Sequence, residues 1–252
     1  MIEVRNLFAG YGKKVVLEDI NFSLEKGEFL IVLGRNGSGK TTLLKAITGF
    51  IKPFRGDVII SGRKLSTFSQ TDVGKIFSFM GSEVNIHFPY TVFEMVLLGR
   101  IPYITGLWEK ESDIRKAEFV IRKLGLEKIK DNIFYELSSG EKQKVVLAQL
   151  LCKDTPFILL DEPNIHLDVK ETEFIFDVIK EEKESGKTVV AVLHDLNLSM
   201  ELADKFLILK DKRAIYFGND PGKEILKDAF DIDFDEFEFK KRKFLFPKKE
   251  GL

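Results

Sequence analysis

Cysteine is almost missing from this chain of 252 residues. Cys152 stands alone, so no internal disulfide can form, and a reducing compartment is expected. It lies in Val145-Val146-Leu147-Ala148-Gln149-Leu150-Leu151-Cys152, the setting of a packed helix residue rather than a nucleophile. Excess charge of either sign is missing too: 39 Lys and Arg against 40 Asp and Glu leave a net −1. That balance gives no reason to expect nucleic acid or an anionic membrane as a direct partner. No apolar run approaches the roughly 18 residues that span a bilayer. Met1-Ile2-Glu3-Val4-Arg5 lacks the apolar core of a signal peptide, and the expected location is the cytoplasm. Histidine is scarce, and His87, His166 and His194 are too scattered from one another and from Cys152 for a zinc site.

What is present is a chain 44% hydrophobic, enough to bury a full core. It is organised around one stretch. Phe29 to Leu33 is a short continuous apolar run, the mark of a strand buried on both faces of a parallel sheet. Gly34-Arg35-Asn36-Gly37-Ser38-Gly39-Lys40-Thr41 follows, with Thr42 after it, and fits the phosphate-loop pattern G-x-x-x-x-G-K-[ST]. Thr41 to Thr48 reads as a helix with Leu43, Leu44 and Ile47 on one face and Gly49 as its stop. Phosphate binding needs inward-turned backbone N–H groups and a helix N-terminus aimed at the anion, and glycines permit that wrap. Lys40 then reaches the β- and γ-phosphates and Thr41 offers its hydroxyl to Mg²⁺. The stretch predicts a nucleoside-triphosphate site.

Around it, Ile2 to Leu7 alternates as a half-exposed strand does, and Gly10-Tyr11-Gly12 reads as a turn. Tyr11 is either ordinary turn packing or an aromatic that stacks on an adenine ring. Val15 to Leu24 and Gly56 to Gly62 give further strands. From about Ser82 to Leu151 helical periods replace strand signals, at Val92–Leu98, Ile114–Leu124 and Glu141–Cys152, predicting a mostly helical insertion. The sheet resumes at Phe157-Ile158-Leu159-Leu160-Asp161, then a helix over Val169 to Glu184, then a strand from Thr188 to Leu193. Strands alternating with helices indicate α/β architecture with a largely parallel sheet.

Asp161 ends a buried strand, where a carboxylate can hold Mg²⁺ directly or through water. Glu162 follows, able to orient or deprotonate an attacking water; the plainer alternative is that Asp-Glu-Pro caps the next helix. Leu137-Ser138-Ser139-Gly140-Glu141 opens a helix with two hydroxyls and successive amides. It reads either as an unremarkable capping turn or as a second anion site, one that serves the nucleotide of another subunit.

Taken in this order, the motifs resemble those of the nucleotide-binding subunits of ABC transporters, over about residues 1 to 218. The resemblance implies a P-loop NTPase ABC ATPase domain: a mostly parallel sheet core with an antiparallel β subdomain and a helical insertion. Gly34 to Thr41 matches the Walker A motif, and Phe157 to Asp161 matches Walker B with Glu162 as catalytic glutamate. Ser138, Ser139, Gly140 and Glu141 match the signature, Ile165 to Asp168 the D-loop, His194 the switch histidine and Tyr11 the adenine-stacking aromatic. Two positions depart from the family. Ser139 stands where it has glycine, which weakens the signature without removing it. Ser82 stands at the Q-loop glutamine, with Glu83 beside it as a substitute.

The implied activity is ATP hydrolysis with Mg²⁺ in a head-to-tail homodimer that drives membrane permease subunits. An external binding protein delivers cargo, and no nucleic acid takes part. The subunit would then sit on the inner face of the membrane through the permease. The segment Phe88 to Arg100 resembles importers of iron–siderophore, haem and cobalamin most. A soluble ABC ATPase of cofactor assembly or repair is the alternative, and a non-hydrolysing scaffold is disfavoured by Lys40, Asp161, Glu162 and His194. The tail, Asn219 to Leu252, predicts a short extension with an antiparallel hairpin. Its phenylalanines lie on one face and Lys240-Lys241-Arg242-Lys243 forms a solvated turn. A calcium loop is excluded there by Glu236 and Arg242.

Overall fold

The computed structural model describes residues 1–81, 86, 88–106, 108–165, 167–239 and 242–248. In chain order the elements are β1 (Ile2–Tyr11), β2 (Lys14–Leu24), β3 (Phe29–Leu33), α1 (Lys40–Ile47), β4 (Arg55–Ile60), β5 (Arg63–Lys64), α2 (Gln70–Ile76) and β6 (Phe77–Met80). They continue with α3 (Val92–Leu97), α4 (Glu111–Lys123), α5 (Ser139–Lys153), β7 (Phe157–Asp161), α6 (Val169–Glu184) and β8 (Thr188–Val192). The chain closes with α7 (Leu196–Leu202), β9 (Lys205–Lys210), β10 (Arg213–Gly218), α8 (Gly222–Phe230), β11 (Phe234–Phe239) and β12 (Arg242–Pro247). Two compact units result, Met1–Phe68 with Thr188–Leu252, and Ser69–Lys187.

In the first unit the unbroken apolar run predicts β3's place: all five residues are buried, and it pairs in parallel with β8 on one side and β9 on the other. β10 adds an antiparallel edge to β9. An antiparallel sheet in the order β2-β1-β4-β5 comes from segments whose apolar residues alternate with polar ones, so one face is buried and the other wet. The expected turn at Gly10-Tyr11-Gly12 is corrected by the structure. Gly10 and Tyr11 belong to β1, because Gly10 pairs with Val15 where a Cβ would come within 2.0 Å of the Lys14 carbonyl oxygen. The turn is Gly12-Lys13, with Gly12 at φ 56°.

In the C-terminal hairpin Phe237, Phe244 and Phe246 share one face, as expected, and Phe234 departs to the other. Phe237 lies opposite Phe244 and shares its face with Phe246, while Phe234 and Leu245 are buried on the other. The two-residue alternation of a strand requires that split. Lys240 and Lys241, the core of the expected solvated turn, lie outside the described residues.

The second unit is mostly helical. Val145, Leu147, Ala148 and Cys152 on α5 are fully buried, as are Val92, Met95 and Val96 on α3 and Ala117 on α4. Each large aliphatic chain so buried contributes about 1.5–3 kcal/mol. β6 and β7 pair in parallel, Phe77 opposite Phe157 through Met80 opposite Leu160. Among the described residues no helix is long and apolar enough to cross a membrane.

Candidate functional site

Each unit carries part of the candidate chemistry. In the first, the chain leaves β3 into a loop whose glycines Gly34, Gly37 and Gly39 take φ of 146°, 80° and 104°. The loop is pressed from two sides: a Cβ on Gly34 would lie 2.4 Å from the Leu209 carbonyl oxygen, and one on Gly39 would lie 2.6 Å from Leu17 Cδ2. Only glycine fits such φ values and such contacts together. Lys40, 6% exposed at the start of α1, donates from Nζ to the carbonyl oxygens of Gly34 at 2.8 Å and Arg35 at 3.1 Å. The ammonium is thereby held inside the curl of the loop. Thr41 and Thr42 follow in the first turn of α1, which has no acidic residue to compete for an anion. The Ser38 Oγ is buried without a hydrogen-bond partner among the described residues. Such a hydroxyl costs about 1–3 kcal/mol until an acceptor meets it, and a phosphate oxygen is an acceptor of the right kind.

Arg35, Asn36 and Gly37 are exposed at the crest of the loop, where Arg35 forms an ion pair with Asp231 at the end of α8. Tyr11 ends β1 with 48% of its surface exposed, on the hairpin whose Val16 and Leu17 press on Gly39. His194 is exposed two residues beyond β8, and Val192 pairs with Val32, so His194 leaves the sheet at the same end as the phosphate loop.

In the second unit β7 delivers Asp161, 2% exposed, at its C-terminal end. Glu162 comes next at φ 53°, a left-handed conformation rare for a residue with a side chain. Asp168, and not Asp161, caps α6: its side chain accepts from the Glu171 N–H at 2.7 Å. The capping alternative for Asp161 therefore falls. Ser138 caps α5 in a reciprocal box, its hydroxyl accepting from the Glu141 N–H at 3.3 Å while the Glu141 carboxylate accepts from the Ser138 N–H at 3.0 Å and its hydroxyl at 2.7 Å. The Ser138 hydroxyl bond is the main reason the Glu141 carboxyl titrates below its usual range. Ser139 is exposed and Gly140 buried. Burial raises the Cys152 thiol to about 11, so it is inert packing.

Two residues escaped the sequence reading. Gln143, 9% exposed, donates from Nε2 to the Pro163 carbonyl at 2.6 Å, and Glu171 lays its carboxylate over Gly140. Each sits one helical turn from a motif residue, the only signal that pointed to them. Ser82, Glu83, His87 and the D-loop's His166 lie outside the described residues.

A glycine-lined loop closing on a seated lysine, together with a buried strand ending in a carboxylate pair, defines a P-loop nucleoside triphosphatase. A family model described as ABC transporter matches residues 17–165, more than half of the chain, and the chain belongs to the ABC transporter family as its ATP-binding, ATP-hydrolysing domain. The petrobactin import ATP-binding protein of Bacillus subtilis is 33% identical over 228 residues, 90% of this chain and 89% of that protein. An inward-facing ABC transporter of a kind described as metal-chelate type aligns with a TM-score of 0.85 and 27% identity, over 99% of this chain and 98% of its own. A dimeric ATP-binding cassette in a post-hydrolysis state with ADP and Pi aligns with a TM-score of 0.77 and 29% identity, over 87% and 98% of the two chains.

Proposed function

We propose that this ATPase powers an importer of iron(III) chelates, haem or cobalamin, as a head-to-tail homodimer mounted on two permease subunits and fed by an external binding protein. The observation that carries the nucleotide chemistry is the seated Lys40 together with the buried Ser38 hydroxyl that has no hydrogen-bond partner among the described residues. Tyr11 stacks on adenine, and the amides from Gly34 to Thr42 with Lys40 hold the phosphates. Asp168 and the run Ser138, Ser139, Gly140, Glu141 serve the nucleotide bound by the partner copy. Glu162 takes the proton of the attacking water and His194 contacts the γ-phosphate.

The Thr41 hydroxyl and the Asp161 carboxylate are hard oxygens, the donors Mg²⁺ takes when it also binds phosphates and keeps several waters. Mg²⁺, when bound there, neutralises charge building on the phosphates.

The permease is proposed to dock on the helical unit, where Phe88 and Ile101 are 63% and 57% exposed. Beside Ile101 lies a cavity of about 300 Å³ that Leu98, Pro102, Gln149 and Lys153 help to line. Val92, Met95 and Val96 fill the core and are excluded from docking. Cargo is read from likeness alone: to the petrobactin protein and the metal-chelate type transporter. The test is ATPase activity of the complex reconstituted with its permease. Stimulation by a loaded iron-chelate or corrinoid binding protein is expected; stimulation by a maltose-type or amino-acid binding protein instead would overturn the cargo assignment.

A further inference from the structure

The turn that carries Glu162 is not held by its own sequence alone. Glu162 sits at φ 53°, where a Cβ crowds the backbone, and such a conformation persists only when its surroundings impose it. Inside the turn the Ile165 N–H reaches back to the Glu162 carbonyl at 3.2 Å, near the limit of a useful bond. A further restraint comes from outside. The Gln143 side chain of α5, nearly buried, donates to the carbonyl of Pro163, the residue directly after Glu162, at 2.6 Å. Pro163 is itself buried, and its ring fixes φ, so a strut on its carbonyl fixes the plane of the turn.

Gln143 also lies one helical turn beyond the Ser138–Gly140 amides, on the same rigid helix. A second contact ties that helix end down: a Cβ on Gly140 would lie 1.8 Å from Glu171 Oε1, so the α6 carboxylate rests directly on the glycine.

We propose that Gln143 is a positioning residue for Glu162, and that it makes the signature end of α5 and the Glu162 turn move as one piece. The inference rests on the reading of Glu162 as the proton acceptor in ATP hydrolysis. In a head-to-tail dimer, the signature of a chain faces one nucleotide and its Glu162 acts on the other. The Gln143 strut then sets the carboxylate of one site according to whether a phosphate fills the opposite one. The distinguishing consequence is a loss in turnover without a loss in nucleotide affinity, because the Gln143 amide is spent on the Pro163 carbonyl and is not among the groups proposed to hold nucleotide.

The experiment compares Gln143→Met, Gln143→Glu and Glu162→Gln in the full-length protein. Gln143→Met keeps volume but removes the donor. It is expected to lower kcat about 10-fold, as one buried hydrogen bond does when it acts in the transition state, and to leave KM for ATP within about 2-fold. Gln143→Glu restores a donor only when protonated, and burial raises a carboxyl's pKa, so its activity relative to the parent should climb from about pH 8 to about pH 6. Parental kcat in Gln143→Met, or a rise in KM that accounts for the lost kcat/KM, overturns the inference. Should Gln143→Met fail to fold, the Gln143→Glu profile decides alone, and a flat ratio overturns it. Glu162→Gln separates the two ideas. If that variant turns over like the parent, the reading of Glu162 fails; if it is inactive while Gln143→Met is normal, only the Gln143 inference fails.

Discussion

Lys40→Ala removes the cation seated in the phosphate loop, and the structure sets the size of the effect. Lys40 is 6% exposed and its ammonium already donates to the carbonyls of Gly34 and Arg35, so little ordering is left for nucleotide to impose on it. Its loss then costs close to the full value of one charge-assisted hydrogen bond, about 1.5–3 kcal/mol. At ~1.4 kcal/mol per decade this weakens ATP binding about 10- to 100-fold. Melting with and without nucleotide reads it directly. At a concentration about 100 times the parental Kd, the parent gains ~2.7 kcal/mol of stability, whereas a variant weakened about 100-fold gains only ~0.4 kcal/mol. Equal stabilisation of variant and parent by ATP would refute the assignment of Lys40 to the triphosphate and the phosphate-loop reading with it.

Two further outcomes follow from the second unit. In Gly140→Ala the atoms nearest the new methyl are the tip of the flexible Glu171 side chain, so thermal stability should hold within about 1 kcal/mol. ATPase activity should fall, because the displaced carboxylate and the methyl crowd the signature amides; unaltered turnover would remove Gly140 from the site. Asp154 ends α5 at φ 57° and pairs with Lys187 at 2.8 Å and Lys116 at 2.9 Å. Burial pushes its pKa up, but the two lysines outweigh that and hold it at about 2, below the reference 3.8. A depressed carboxyl contributes stability above its unfolded pKa and loses it as pH falls through the folded one. Asp154→Asn, which tolerates the same backbone, should therefore destabilise the protein at neutral pH, with the gap to the parent closing between about pH 4 and about pH 2. A gap independent of pH would show that charge is not what Asp154 contributes.

The parts legible in the sequence were those fixed by local rules. The apolar runs Phe29–Leu33 and Phe157–Leu160, the second closed by Asp161, are strands as expected, since so short an apolar run bounded by turns has few other fates in an α/β chain. Val169–Glu184 is a helix from its Asp cap to its Ser-Gly stop. β6 was missed because Phe77-Ser78-Phe79-Met80 is short and enters the sheet through β7, a partner distant in sequence. α2 was missed because its seven residues bury none of their side chains, so no apolar period marks it. In the site, glycines and a lysine at fixed spacing announced the phosphate loop. Gln143 did not announce itself, because its importance depends on α5 meeting the Pro163 carbonyl, a tertiary event with no local pattern. The strain at Glu162 is equally silent, since a glutamate carries no mark of left-handed backbone.

In the proposed function Glu162 is the group that lets bound ATP be hydrolysed and the dimer reopen. The direct measurement is gel filtration of Glu162→Gln with ATP, alongside its turnover. An amide keeps the shape but takes no proton, so turnover should drop by about 10²–10⁴-fold, with ATP binding retained. The closed state can then no longer decay, and the variant should elute as a dimer with ATP and as a monomer without it. Parental turnover, or elution unaffected by ATP despite measured binding, would contradict the account.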